Sequence, residues 1–181
     1  MNELNFLLCF PGGFFMGYLI SCTTEKRTGG HPPVLFVSLL CTGCFLLCHR
    51  RPVTDLVYCH CLILAGIIDH YSMEIPDRCS LIILLCALCH QPSVAGGLAM
   101  SWLIPVALMD WIGWGDVKMM ICSGFYLGPG KVFSALILAF WSACGFELCK
   151  KNHRRQIPLA PWLASGCLIS LFCGDFTFFL F

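Results

Sequence analysis

Asp69 closes the apolar run LILAGIID, and Asp116 stands in Gly113-Trp114-Gly115-Asp116-Val117-Lys118 at the head of another apolar run. A carboxylate inside or beside a long apolar segment is costly to hold, so each calls for a reason. An Asp at a helix C-terminus is opposed by the helix dipole, so helix stability does not account for Asp69. The plain alternative is an interfacial carboxylate reaching water. Asp116 has its own plain alternative, because Asp ahead of an apolar run is a good helix N-cap and Gly113 and Gly115 then only let the chain turn. As a pair the two say more. Two close carboxylates do not both ionise easily and tend to share one proton. One then takes a proton from water while the other gives one to a carbonyl oxygen or leaving amine. That is peptide hydrolysis without a Ser or Cys nucleophile.

The residues around the pair have weaker signals. Glu74 and Asp77 follow Asp69 closely and read either as contacts for a basic segment or as solvated loop charge. Lys118, two residues after Asp116, reads as a counter-charge for an ionised carboxylate or as a lysine snorkelling to the membrane surface. Asp110 is a candidate third carboxylate or an interface cap. The six histidines show no metal-ligand spacing. Most of the fifteen cysteines lie inside apolar runs, where a thiol packs as a small hydrophobe. No metal or organic cofactor is implied.

The elements that must position the aspartates are spanning helices. Apolar residues make up 58% of the 181 and charged residues 12%, about half the usual charged share. A spanning helix needs about 20 mostly apolar residues. Eight candidate segments appear: 4–20, 34–48, 54–69, 79–92, 94–110, 117–128, 131–148 and 158–174. Their predicted product is an all-α, polytopic membrane protein, a bundle of about eight transmembrane helices in one domain over 1–181. Pro158 is expected to start the last helix. The first apolar block lacks a basic start and reads as a retained span rather than a cleaved signal. With the N-terminus outside, segments 21–33, 70–78, 111–118 and 149–157 are cytoplasmic and hold eight of the eleven Lys and Arg residues. That obeys the positive-inside rule, although Arg50 and Arg51 fall on the other side. Both aspartates then lie at cytoplasmic helix ends, at similar depth. A net charge of +1 and no basic face exclude a nucleic-acid partner.

Gly113-Trp114-Gly115-Asp116-Val117-Lys118 resembles the G-x-G-D-x-K signature of type IV prepilin peptidases. Asp69 with Ile75-Pro76-Asp77 resembles that family's first-aspartate segment. Ile157-Pro158-Leu159-Ala160-Pro161-Trp162-Leu163-Ala164-Ser165-Gly166 is similar to its I-P-F-G-P-F-L-A-x-G motif. The three occur in the family's order and cover about residues 60 to 175. The resemblance implies catalytic aspartates at Asp69 and Asp116 facing the cytoplasm, and Gly113, Gly115, Lys118, Glu74 and Asp77 are the candidates for substrate or site support beside them. It implies an inner-membrane, multi-pass aspartyl endopeptidase that removes the leader from prepilin or pseudopilin precursors. Longer members carry a cytoplasmic insert with two C-x-x-C pairs, associated with N-methylation. Here that loop is residues 21–33 with only Cys22, and the C-x-x-C of Cys41 and Cys44 lies in an apolar run. Methyl transfer is therefore not expected. A proton-coupled transporter using the aspartates as a relay, a general intramembrane aspartyl protease and an inactive binding member are the competing readings.

Overall fold

The structure, a computed structural model, describes residues 3–48, 51–149 and 157–174, with the side chains of 3–10 left aside. Among these residues it is entirely helical: α1 (Glu3–Thr28), α2 (Val34–Cys48), α3 (Val53–Ser72), α4 (Asp77–Cys89), α5 (Val94–Met100), α6 (Leu103–Leu108), α7 (Trp114–Leu127), α8 (Pro129–Cys149) and α9 (Ala160–Cys173). The all-helical reading holds. Helices α3 and α8 are long and apolar enough to cross a membrane, and Val34–Cys48, Val94–Leu108 and Ala160–Cys173 are shorter apolar segments.

Three boundaries differ from expectation. Helix α1 runs on to Thr28, so much of the segment read as loop 21–33 is helix. Its basic residues Lys26 and Arg27 sit favourably in the last turn, against the negative end of the dipole. The predicted helix over 94–110 is two short helices, broken at Ser101 and Trp102 just before Pro105, whose ring cannot follow a continuous turn. The last helix starts at Ala160 rather than Pro158. Residues 150–156, the most basic stretch, lie outside the described residues.

Small residues set how the helices approach. Gly13 and Gly17 of α1 lie against Thr42 and Ser38 of α2, where a Cβ on either glycine would overlap backbone. This is the small-residue spacing that lets helices pack closely without a solvent-driven hydrophobic force. Gly96 of α5 meets Gly124 of α7 backbone to backbone, and Gly166 of α9 meets the Ala135 carbonyl of α8. The core between them is filled by Tyr58, Leu62, Ile83, Met100, Met119, Met120 and Leu163, all nearly inaccessible. Cys41, Cys44, Cys48, Cys59, Cys61 and Cys167 are buried beside them as free thiols. The outer faces carry Phe14, Phe15, Leu35, Phe36, Leu39, Leu81, Leu85, Leu98, Trp141 and Leu148, all well exposed.

The connections gather at two ends. At one end, Tyr71 donates to the carbonyl of His31 (3.3 Å), and residues 73–77, 110–116 and 157–159 line shared cavities. At the other, Asp55 meets Tyr126 and His90, and the Ser93 N–H donates to the carbonyl of Phe125 (2.8 Å). Arg51, the exception in the charge count, is engaged there. It lies 3.5 Å from Asp55 and donates to the carbonyl of Leu171.

Candidate active site

Asp69 sits in the last turn of α3 and is 6% exposed. Its Oδ2 accepts the backbone N–H of Ala160 at 3.1 Å. The first N–H groups of a helix have no partner within it, so a carboxylate arriving from another helix satisfies one of them. The I-P-L-A-P-W motif thereby acquires a local explanation. Pro158 and Pro161 have no N–H to give, and Ala160 between them supplies the donor. Gly66, less than one turn before Asp69, admits α9: a Cβ there would stand 3.2 Å from Pro161 Cα.

Asp116 is not an N-cap. Gly113 occupies that position without a side-chain cap bond, and Asp116 follows in the first turn of α7. The chain turns before it, so its side chain is free for another use. Its Oδ1 is buried and meets no hydrogen-bond partner within the protein. The two motif glycines serve packing rather than turning. A Cβ at Gly115 would lie 2.9 Å from Ile75 Cβ, and one at Gly113 would lie 3.2 Å from Asp116 Oδ2. Neither has a positive φ. Gly115 therefore lets the Ile75-Pro76-Asp77 segment close against the first turn of α7.

Lys118 pairs with Asp77 rather than with Asp69 or Asp116. Its Nζ donates to Asp77 Oδ1 at 2.8 Å, and both side chains are exposed. An exposed pair of this kind contributes about 0–1 kcal/mol. Its role is to tie the start of α4 to α7, not to neutralise Asp116.

Two cavities meet at the aspartates. The smaller, about 380 Å³, is lined by Asp69, Glu74, Asp77, Gly113, Gly115 and Asp116, with Arg27 from α1 and Ile75. The larger, about 780 Å³, shares Asp69, Gly113 and Asp116 and adds Phe140, Ala143 and Cys144 of α8 with Ile157, Pro158 and Leu159. Asp110 and Glu147 also line the larger one. Every residue expected at the site except Lys118 therefore borders one of these spaces. Asp116 lies ahead of the apolar stretch of α7. Burial, and then the charge of Asp69, push its pKa up to about 7.

Three contributors escaped the sequence reading. Arg27 had been counted only as an orientation charge. The Ala160 N–H is backbone chemistry, visible only as a gap between two prolines. The α8 wall lies on a helix with no polar motif near Phe140.

The model of the type IV leader peptidase family matches residues 56–148, which contain both aspartates. The chain belongs to that family. The match covers half of the chain and stops short of the I-P-L-A-P-W segment. Among curated proteins, the chain is 23% identical over 175 residues to a prepilin leader peptidase/N-methyltransferase of Escherichia coli (strain K12), covering 81% of this chain and 76% of that protein. It is 26% identical over 136 residues to a prepilin leader peptidase/N-methyltransferase of Bacillus subtilis (strain 168), covering 66% of this chain and 55% of that protein. The match thus spans about half the length of the second relative. No solved structure matches the chain.

Proposed function

We propose that this family member is a membrane-embedded aspartyl endopeptidase that removes the leader from prepilin or pseudopilin precursors. The observation that carries the reading is the convergence of Asp69 and Asp116, from two different motifs, on the wall shared by two cavities. Asp69 has the Ala160 N–H to stabilise negative charge and acts as the base. Asp116, with an unpartnered buried oxygen, carries the shared proton. Water attacks the scissile carbonyl carbon and gives its proton to Asp69, while Asp116 protonates the carbonyl oxygen. The C–N bond of the resulting gem-diol then breaks, and the amine leaves with a proton from the pair.

The cavities divide the substrate at the cut. The smaller offers carboxylates to a basic leader, and the larger offers Phe140, Ala143 and Leu159 to an apolar helix. The exposed apolar coat suits lipid on its outer faces. We read the nine helices among the described residues as eight crossings of the inner membrane, with α5 and α6 together making one, and the chain as one membrane domain. The charge count puts the aspartate end in the cytoplasm.

Two measurements test this. Co-expression with candidate prepilins, followed by mass spectrometry of their N-termini, is expected to show leader loss with no added methyl group. Intact leaders on every candidate would remove the peptidase reading, and a methylated terminus without another methyltransferase would overturn the second expectation. In a cysteine-depleted background, a cysteine at Ser72 should react with an impermeant thiol reagent from the cytoplasmic face only, and one at Lys131 from outside only. Labelling of both from one face would refute the topology.

A further inference from the structure

The bundle holds another buried carboxylate that hydrolysis does not use. Asp55, in the first turn of α3, is 2% exposed. It accepts the hydroxyl of Tyr126, which sits in the last turn of α7. Arg51 Nη1 stands 3.5 Å from Asp55 Oδ2, and His90 Nε2 stands 3.7 Å from Oδ1. The Tyr126 ring stacks on Tyr58 of α3 with centroids 4.2 Å apart. A buried carboxylate is tolerated when it is paired and hydrogen-bonded, and this one has donors on both oxygens. The cluster is complete and asks for no ligand.

Its placement gives it a role. Asp55 and Asp69 are 14 residues apart on one helix, which is about 21 Å along the axis and roughly 40° around it. They therefore mark the two ends of one face of α3. Their counterparts, Tyr126 and Asp116, both belong to α7. Yet α3 and α7 share no extended backbone packing. Helices α4 and α9 each pack against both of them. Side chains alone join α3 to α7, and the hydrogen bond to Asp55 is the directional one.

We propose that the Asp55–Tyr126 hydrogen bond is a positioning bridge, setting the spacing and rotation of α3 against α7 and so the approach of Asp69 to Asp116. Asp55 and Tyr126 touch neither substrate nor reacting atoms. Their effect reaches the site through the rigid helices that carry both pairs. The rate effect rests on the peptidase reading, whereas the geometry does not.

The test uses the full chain in detergent, comparing wild type with Tyr126→Phe, which keeps the stacked ring, and Asp55→Leu, which offers the Tyr126 hydroxyl no acceptor. Infrared titration of the protonated-carboxyl band, assigned by its loss in Asp116→Asn, reports the pair without any substrate. Wild type should titrate with a midpoint near 7. If the bridge is lost, Asp69 draws back, its charge presses less on Asp116, and the midpoint falls by roughly one pH unit in both variants. Cleavage of a prepilin processed by wild type should show kcat lowered about 10-fold or more with KM nearly unchanged, as expected for misplaced reacting groups. His90→Gln, which leaves the bridge intact, should keep the wild-type midpoint. A wild-type midpoint in folded Tyr126→Phe and Asp55→Leu overturns the proposal, as does an equal shift in His90→Gln. Absence of cleavage by wild type would strike only the peptidase reading, and the infrared result would still decide the bridge.

Discussion

Asp69→Asn and Asp116→Asn are each expected to abolish leader cleavage, lowering the rate at least about 1,000-fold while the protein still folds and inserts. General acid–base exchange at one group contributes about 100- to 10,000-fold, and here each carboxylate has a distinct part in it. The folding half of the expectation comes from the contacts. An Asn at position 69 retains a carbonyl oxygen able to accept the Ala160 N–H, so the start of α9 stays in place. At position 116 the buried Oδ1 has no partner to lose. The measurement is cleavage of a co-reconstituted prepilin by each purified variant, beside its thermal unfolding curve. Substantial cleavage by either folded variant would remove the aspartate pair from the mechanism.

Activity should also fall steeply on the alkaline side. The pair works with one proton, and Asp116 holds it up to about pH 7 because burial and then Asp69 raise its pKa. Above that point the protonated fraction drops about tenfold per pH unit, so kcat at pH 9 is expected near one hundredth of its maximum. Stability carries the same signature. The folded-state pKa of Asp116 lies above the unfolded carboxylate value of about 4, so ionisation disfavours the folded state. The penalty is absent below the unfolded value, grows as pH rises, and is full above about 7. Asp116→Asn should therefore unfold at a higher temperature than wild type at pH 8 and at nearly the same temperature at pH 4. A flat rate profile between pH 6 and 9, or a less stable Asn variant at pH 8, would contradict this assignment.

The all-helical fold and the candidate site residues were legible because both depend on local pattern. Apolar blocks of near-spanning length, separated by charges and Gly-Pro breaks, define the helices. A carboxylate beside such a block is costly enough to stand out alone. What each motif does was not legible in the same way. Asp116 fits an N-cap by sequence, and only the turn at Gly113 frees it. Gly115 looks like a turn residue, but its missing Cβ makes room for Ile75, 40 residues away. Lys118 looks like a counter-charge for Asp116 and instead holds Asp77.

By itself the sequence determined which residues are candidates to carry chemistry and which segments are helical, since periodicity and composition act over a few turns. Only the tertiary structure decided their pairing: Asp69 with Ala160, Asp77 with Lys118, Asp55 with Tyr126, and the meeting of two cavities at the aspartates. The physical reason is that helix packing depends on where small residues let backbones approach. Gly66, Gly96, Gly115 and Gly124 set those approaches through contacts between helices far apart in the chain.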